Sequence, residues 1–387
     1  MEAQATEGLL RYFKMIPDPR AANARHLMSD VLSIAILAVL CGSESWAAVE
    51  AWGLGNLDWL ATFLELPHGI PSHDTFDRIF ALLDPLEFEK CFTAWVAVLN
   101  ENSQGLFVAV DGKTLRHSWK HAWSKTPVHL VSAFASKNSL ILGQLATDCK
   151  SNEITAIPQL LAMLSLSNVT VTIDAMGCQR EIAAQIIGQK GHYILAVKDN
   201  QRGLYRKVKG LLNEAILDGF KGMRHDYHEE TDDSHGRIVT RRVWVTDEIH
   251  WLGKNLLKQW PGLASVVVES MRQDLGDTSG KVTTERRYYI SSHTGTDARH
   301  MAQGIRQHWG VENGLHWCLD MAMREDESRL RVEHGAENFS RLRRIALNKL
   351  KRWQPRKPNG KPLKIGIRIK QQCCGWSRKF LLEALLA

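Results

Sequence analysis

Two aspartates stand where runs of apolar residues end. Asp111 follows the run FVAV and precedes Gly112, and Asp174 follows the run VTVTI and precedes Ala175. Each run has the length and composition of a buried strand, so each carboxylate lies where a strand meets a turn. If the two strands are neighbours in one sheet, the carboxylates emerge side by side and repel each other unless a cation lies between them. The alternative is that each aspartate only caps a turn or a helix.

Carboxylate oxygens in a small cluster are the ligands that Mg²⁺ prefers, and Mn²⁺ can take its place. Two such ions about 3.5–4 Å apart can activate an attacking oxygen and stabilise a leaving oxygen at a phosphodiester. The sequence therefore predicts a metal site that acts on a phosphodiester, provided that a third acid completes the site.

Glu312 is the candidate for the third acid. Its neighbours are aromatic or apolar: Trp309, Val311, Leu315 and Trp317. A carboxylate in that setting is costly to bury unless it is paired or bound to a metal ion. Three further acids compete for the role, although a salt-bridged helix face also explains them: Asp320, Glu325 and Asp326.

A spacing of four residues separates His308, Glu312 and His316, so the three share one face of a helix. That set resembles a group of zinc ligands. Histidines beside a phosphodiester site can also bind phosphate or transfer protons, which is the interpretation favoured here.

The elements that must position these residues follow from the pattern of apolar residues. Residues 1–100 have them at three- and four-residue spacing, which predicts helices, one starting at Ser72 or His73 and another after a break at Asp84. From about residue 106 the predicted order is β-β-β-α-β-α-β, with a hairpin turn at 137–139 and the first helix starting at Pro158. Such an order predicts an α/β fold, a mixed sheet with helices on its faces.

A change of pattern divides the rest of the chain. Residues 199–292 alternate like antiparallel strands, which predicts a mostly β insertion, and residues 293–340 contain a long helix from about Thr296 past Asp326. Kinks in that helix are expected at Gly304, Gly310 and Gly314. The predicted segments are thus 1–100, 101–198, 199–292, 293–340 and 341–387.

The charge of the chain is concentrated near its end. Residues 341–379 contain fourteen Lys and Arg and no Asp or Glu, so against a net charge of +7 the remaining residues sum to −7. A basic block on a mildly acidic protein predicts a polyanionic partner such as nucleic acid. The alternative is a solvated basic tail.

Membrane and secreted classes are not expected. The longest apolar run, residues 31–42, is too short to span a bilayer, and the N-terminus lacks the order of a signal peptide. The seven cysteines form no CxxC pair, which predicts a reducing, cytoplasmic location without structural zinc.

The sequence resembles the H-repeat-associated transposases, a branch of the bacterial DDE insertion-sequence transposases. The motifs that carry the resemblance run in order from about residue 10 to residue 380: IPDPR, GIPSHDTFDRIFALLDP, VAVDGKTLR, SNEITAIPQLL, TIDAMGCQ, YILAVKDNQ, SHGR, HWGVENGLHWCLD, MREDESRLR and ENFSRLRRIALNKLK. The segment HSWKHAWSK after VDGKTLR departs from the small and polar residues expected there. Ile305 and His308 stand where related branches have a tyrosine and a basic residue.

The resemblance implies an RNase H-like fold with a catalytic, metal-holding triad of Asp111, Asp174 and Glu312. It implies a β insertion before Glu312 and a helical N-terminal domain that is associated with transposases. The implied activity is metal-dependent cleavage and strand transfer at the ends of a mobile element. Water first attacks a phosphodiester and frees a 3′-hydroxyl, which then attacks target DNA at the same site, mainly through positioning and charge neutralisation.

The implied partners are double-stranded DNA and, when DNA is bound, a second copy of the chain. Residues expected to contact DNA follow the strand ends, flank Glu312 or lie in the basic block: Lys113, Arg116, Lys198, His308, Trp309, Arg343, Arg344, Lys349, Lys351 and Arg352. Two alternatives stay open. One is an RNase H-like nuclease without strand transfer, and the other is an inactive or domesticated transposase-derived protein that only binds DNA.

Overall fold

The computed structural model describes residues 11–20, 24–99, 105–118, 127–147, 153–233, 237–274 and 282–387. Its α-helices are, in chain order, α1 (Met28–Leu40), α2 (Trp46–Gly55), α3 (Leu57–Leu60), α4 (His73–Leu82), α5 (Pro85–Leu99), α6 (Glu153–Ala162), α7 (Arg180–Gly188), α8 (Arg202–Leu217), α9 (Lys254–Gln259), α10 (Ala298–His308), α11 (Gly335–Arg352), α12 (Ile367–Trp376) and α13 (Arg378–Leu386). Its strands are β1 (Phe107–Thr114), β2 (His129–Ala135), β3 (Leu140–Thr147), β4 (Thr170–Ile173), β5 (His192–Val197), β6 (Asp226–Asp232), β7 (Ile238–Thr246), β8 (Ser265–Asp274) and β9 (Val282–Ser291).

The N-terminal region is helical, as the spacing of its apolar residues predicts. Helix α4 starts at His73 because the Ser72 hydroxyl accepts a hydrogen bond from the backbone N–H of Thr75, 3.4 Å away. Helix α5 starts at Pro85, where a missing N–H costs nothing. No helix among the described residues combines the length and the apolar character needed to cross a bilayer.

All nine described strands form one mixed sheet in the order β3-β2-β1-β4-β5-β9-β8-β7-β6. Strands β1, β4 and β5 are parallel, and the other pairs are antiparallel. The predicted order β-β-β-α-β-α-β and the mixed sheet are confirmed. The strands of residues 199–292 extend this sheet, since β9 pairs with β5.

Alternate residues of the strands pack on opposite faces of the sheet. Phe107, Ile194 and Tyr289 pack with residues of α10, whereas their neighbours Val108 and Tyr193 belong to the larger core that includes α6, α7 and α8. Helices therefore cover both faces, and the face of a strand residue follows from its place in the alternation.

Two helices differ from the sequence-based expectation. Helix α6 begins at Glu153 and contains Pro158 rather than starting there. Its first turn is held because Glu153 Oε1 lies 2.5 Å from Nε2 of the buried His129. Helix α8, inside the predicted β insertion, was not expected, although Leu204, Val208 and similarly spaced apolar residues bury one face of it.

Helix α11 lies in the centre of the molecule, which corrects the interpretation of the basic block as a solvated or DNA-binding surface along its whole length. The helix is buried from Gly335 to Leu350 and packs against α1, α4, α5, α12, α13 and β3. Inside this core, Arg341 Nε lies 2.6 Å from Glu89 Oε2, and Arg341 Nη2 lies 3.2 Å from Glu337 Oε1. Part of the basic charge is therefore paired with buried carboxylates.

Candidate active site

The parallel pairing of β1 and β4 brings the two aspartates side by side. Asp174 follows the end of β4, but the expectation that Asp111 ends its strand is corrected, because β1 continues to Thr114 and Asp111 pairs with Ser132 of β2. Val110 pairs with Ile173, so the next residues along the two chains are Asp111 and Asp174. Asp111 is an even number of residues from Phe107, which packs under α10. Alternation therefore directs the Asp111 side chain to the face that α10 covers.

The helix that crosses this face does not keep a regular α-helical path. After α10 ends at His308, the chain continues in two π-helical stretches, Glu312–His316 and Cys318–Ala322. Such π turns are rare and occur frequently at functional sites. The expectation of one long helix running past Asp326 is corrected, because the second π-helical stretch ends at Ala322.

Two glycines of this helical segment allow close packing on the sheet. A Cβ on Gly304 would lie 2.6 Å from Ile194 Cδ1 and 2.7 Å from Phe107 Cε1, and a Cβ on Gly314 would lie 3.0 Å from the Phe134 ring. The helix can rest directly on the sheet only because these side chains are missing. That contact fixes the depth at which Glu312 and His316 stand above Asp111.

Asp111, Glu312 and His316 form a group whose donor atoms all lie within 4.8 Å of one another. His316 Nδ1 is 3.7 Å from Asp111 Oδ2 and 3.7 Å from Glu312 Oε2. The imidazole is buried, Asp111 is partly buried and Glu312 is exposed. Two oxygen donors and one nitrogen donor thus converge at a place that solvent reaches from the Glu312 side.

The charges of this group favour a cation between the carboxylates. Burial is the main reason that the pKa of Asp111 is raised to about 6. The negative charges of Glu312 and Asp174 act in the same direction, and His316 and the Gly112 N–H act in the opposite direction. The His316 imidazole lowers the pKa of Glu312. A divalent ion would relieve the repulsion that burial concentrates on Asp111.

Asp174 lies near this group and also caps the turn that follows it. Its Oδ1 accepts hydrogen bonds from the backbone N–H groups of Met176 (3.0 Å) and Gly177 (3.3 Å). One carboxylate oxygen of Asp174, Oδ1, therefore caps a turn, as the alternative interpretation of this aspartate expects. Its charge still acts on the pKa of Asp111.

The alternative set of zinc ligands, His308, Glu312 and His316, does not form one donor group among the described residues. His308 Nδ1 lies 3.2 Å from Thr172 Oγ1 on β4, and burial lowers the pKa of this histidine. Asp111, and not His308, is the third donor beside Glu312 and His316.

The three acids that compete with Glu312 for the role of third ligand lie around Lys113 and not beside Asp111. Lys113 Nζ lies 2.7 Å from Asp320 Oδ1, 2.9 Å from Asp326 Oδ1 and 3.3 Å from Glu325 Oε2. Glu325 is also 3.0 Å from Arg344 Nη1. Burial alone would raise the pKa of Glu325, but the charges of Arg344, Lys113 and Arg343 prevail and lower it to about 2.

Two family models match the chain. Residues 102–349 match the model described as Transposase DDE domain, and residues 10–96 match the model described as DDE_Tnp_1-associated. The chain belongs to the DDE transposase family. The nine-stranded sheet and the helical segment that carries Glu312 fall within the part that the DDE model matches.

Relatives of this DDE family member match it over nearly the whole chain. The "H repeat-associated putative transposase YhhI" of Escherichia coli K12 is 38% identical and is covered over 97% of both chains. The "Putative transposase YncI" of Escherichia coli O157:H7 is 37% identical over 98% of this chain and 94% of its own. A cryo-EM structure of the piggyBac transposase synaptic complex with hairpin DNA aligns with all of this chain and 82% of that chain at a TM-score of 0.44 and 12% identity.

In this DDE family member, four of the ten residues expected to contact DNA are exposed. They are Arg116, Lys198, Trp309 and Arg352. Arg116 lies 3.2 Å from Asp326, and Arg352 donates to the backbone oxygen of Ala387, so both have partners within the chain.

Five other expected contacts are corrected because their cationic groups point into the protein. Lys113, Arg343, Arg344 and Lys349 are buried, and Lys351 is half-buried and donates to the Gly314 carbonyl. A side chain that is enclosed in the protein cannot reach a DNA backbone without leaving its site. The segment HSWKHAWSK lies mostly outside the described residues, at 119–126.

The structure adds one feature that the sequence analysis of this transposase family member missed. A cavity of ≈ 280 Å³ beside Asp174 is lined by Lys198, Tyr205, Arg287 and Trp309, among other residues. The Arg287 guanidinium lies over the Trp309 ring, 4.5 Å from its centroid. The alternation of β9 could have placed Arg287 on this face, but not against Trp309, which comes 22 residues later in the sequence.

Proposed function

We propose that this protein is a DDE transposase that cleaves DNA at the ends of an insertion sequence and joins the freed ends to target DNA. The observation that supports the proposal most is the convergence of Asp111, Glu312 and His316 at the place where the pairing of β1 with β4 ends. Family membership supplies the reaction class, and the geometry supplies residues able to carry it out.

The proposed metal ligands are Asp111, Asp174 and Glu312, with His316 as a further donor. The donor set fits a divalent cation, because carboxylates dominate it and because burial leaves Asp111 with an unfavourable charge. We propose Mg²⁺, with Mn²⁺ as a substitute. When bound, the ion polarises the phosphodiester and stabilises the oxygen that leaves.

The chain's own residues would then position the DNA. The cavity beside Asp174 has the aromatic rings of Tyr205 and Trp309 and the cations Lys198 and Arg287 on its walls. Cations there bind the phosphates on either side of the scissile bond, and Trp309 offers a surface on which a displaced base can stack. Holding the strand in line with the attacking oxygen supplies most of the acceleration in this kind of reaction.

The proposed partner is double-stranded DNA, bound by a dimer. The segment from the end of α11 to the start of α12 carries exposed cations without an intervening acid: Arg352, Arg356, Lys357, Lys361, Lys364 and Arg368. These residues replace the buried part of the basic block as proposed contacts with the DNA backbone. Two element ends must be joined in one event, so two copies of the chain are expected on the DNA.

Strand transfer is the test that separates this proposal from its alternatives. A labelled duplex that ends in the element sequence with a free 3′-hydroxyl is incubated with a supercoiled plasmid and Mg²⁺ or Mn²⁺. The proposal expects covalent joining of the label to the plasmid by the wild type. Cutting without joining would support the nuclease, and binding without either reaction would support the inactive DNA-binding protein.

A further inference from the structure

On the face that α10 covers, the side chains of β7, β8 and β9 change from apolar to polar along the strands. Under α10 this face is apolar, and Val243, Val267 and Tyr289 pack with Met301 and Ile305. Beside the C-terminal end of α10 the same face becomes polar. One row of paired residues across the three strands is Val243, Glu269 and Arg287, and the next row contains Arg241 and Met271. The alternation that buries the apolar residues thus also directs these charged residues to the helix side.

The polar part of this face is the floor of an open groove of ≈ 580 Å³. The groove is lined by four arginines, Arg237, Arg241, Arg287 and Arg306, and by two acids, Asp232 and Glu269. The cations outnumber the acids among its described lining residues. Two of them also have carboxylate partners, since Arg306 Nη2 lies 3.0 Å from Asp232 Oδ2 and Arg287 Nε lies 2.9 Å from Glu285 Oε1. An excess of guanidinium groups in a concave surface favours an anionic ligand.

Arg241 gives the groove an unused hydrogen-bond donor. Its Nη1 atom is buried and makes no hydrogen bond to any described residue. Glu269, its acidic neighbour on the floor, already accepts a hydrogen bond from the Tyr289 hydroxyl at 3.3 Å. A buried donor without an acceptor costs free energy, which a bound anion would recover.

The groove is continuous with the candidate active site. Trp309 and Arg287 line both the groove and the cavity beside Asp174, so their stacked pair forms the boundary between the two spaces. Asn313, the residue after Glu312, also lines the groove. A strand that reacts at the acids would therefore reach the arginines within a short distance of the reacting phosphate.

We propose that this groove, formed by Arg237, Arg241, Arg287 and Arg306 beside Trp309, binds the phosphodiester backbone of the DNA as it leaves the catalytic centre. The inference rests on the proposed function, since it names where that DNA runs. Guanidinium groups match phosphate oxygens with two parallel hydrogen bonds, and a row of them suits a repeating polyanion better than a single small anion. The extension of the sheet by β7, β8 and β9 then has a role in holding substrate.

The test compares Arg241→Gln and Arg306→Gln with Arg242→Gln. Arg242 is the matched control because it follows Arg241 on β7, points to the opposite face and lies 2.7 Å from Glu229 there. Binding of a duplex carrying the element end is measured without divalent metal from about 50 to 300 mM salt. We expect the slope of log affinity against log salt to become shallower by about 1 for each groove variant and to stay unchanged for Arg242→Gln.

The outcomes separate the groove from the proposed function. If the wild type binds and cuts this DNA but the groove variants keep the wild-type salt slope, or if Arg242→Gln changes it equally, the groove inference is wrong and the transposase proposal stands. If the wild type does not bind the duplex at all, both are wrong. Arg306 is 45% exposed, so its variant keeps the test valid should Arg241→Gln fail to fold in a thermal unfolding control.

Discussion

At the scale of single residues, the position of a cation distinguishes the carboxylates around the catalytic helix. Lys113 neutralises Asp320 and Asp326 at distances below 3 Å, so these acids are already paired. Among the described residues, Asp111 and Glu312 have ion-pair contacts with the His316 imidazole alone. The acids that have not been neutralised by lysine or arginine are the ones free to hold a metal ion.

His316 is expected to contribute directly to metal affinity. The variant His316→Ala should bind Mn²⁺ at least about tenfold more weakly, because it removes one of three converging donors. The control is His300→Ala. His300 lies in α10, where its ring contacts Phe107, and it is not part of the donor group. Calorimetric titration measures both, and equal affinities for the two variants would exclude His316 as a ligand.

Glu325 is expected to stabilise the fold rather than to act in catalysis. Breaking its buried pairing with Glu325→Gln should lower the free energy of unfolding by about 3–5 kcal/mol at pH 7. The pKa of this carboxyl is lowered from 4.5 to about 2, so its stabilisation is complete above pH 4.5 and is lost as the pH falls towards 2.

Urea unfolding of wild type and Glu325→Gln at several pH values measures this effect. The difference between the two proteins should shrink as the pH falls from 4.5 towards 2. The control is Glu327→Gln, because Glu327 is exposed and pairs with the partly exposed residue Arg324. A difference that stays constant with pH would show that the charge of Glu325 is not the cause.

The residue scale also shows where sequence reasoning stops. Asp111, Asp174 and Glu312 could be predicted, because a preceding apolar run or an apolar setting marks each acid locally. Arg341 and Arg344 could not be separated from surface arginines, because their partners are Glu89 and Glu325, which are distant in sequence. A count of charges does not reveal which of them fold inwards.

At the scale of elements, the close contact between α10 and the sheet sets the height of the catalytic residues. Gly304→Ala would place a methyl group 2.6 Å from Ile194 Cδ1 and 2.7 Å from Phe107 Cε1. We expect a loss of about 1–3 kcal/mol in the free energy of unfolding, together with weaker DNA cleavage, because the helix must move away from β1 and β5.

Gly210→Ala is the matched control, since it lies inside α8 with no atom within 4 Å of its added Cβ. That variant should gain roughly 0.5–1 kcal/mol, because alanine is the better helix former. Denaturant unfolding distinguishes the two cases. A stabilised Gly304→Ala would contradict the close contact described for α10.

The elements also show which patterns the sequence carries. Strands β7, β8 and β9 could be predicted because their residues alternate, and α4 because Ser72 caps it. The start of α6 was placed too late because proline was taken as a first residue, whereas contacts of Glu153 hold an earlier turn. The π-helical turns depend on packing against the sheet and left no local signal.

At the scale of the whole molecule, the N-terminal helices and the DDE domain share one core through α11. Helices α1, α4 and α5 all contact α11, and the Asn338 side chain donates hydrogen bonds to the carbonyls of Phe80 and Leu83. The buried pair of Glu89 and Arg341 crosses the same boundary. The helical region therefore contributes to folding as well as to any contact with DNA.

A chain that starts at residue 105 is expected to lose cooperative folding. The deletion exposes the apolar face of α11 and leaves Arg341 without Glu89. The full chain should unfold in one thermal transition, and the shortened chain should bind a hydrophobic dye and show no sharp transition. A cooperative transition in the shortened chain, at the wild-type temperature, would show that the DDE domain folds alone.

DNA cleavage by matched acid variants tests the central claim most directly. A duplex that spans the element end and its flank is incubated with Mg²⁺ or Mn²⁺ and with wild type, Asp111→Asn, Asp174→Asn, Glu312→Gln or the control Asp320→Asn. We expect metal-dependent cutting at the element end by the wild type and by Asp320→Asn, and no cutting by the other three, which should still bind the duplex. Continued cutting by Glu312→Gln together with its loss in Asp320→Asn would contradict the proposed site.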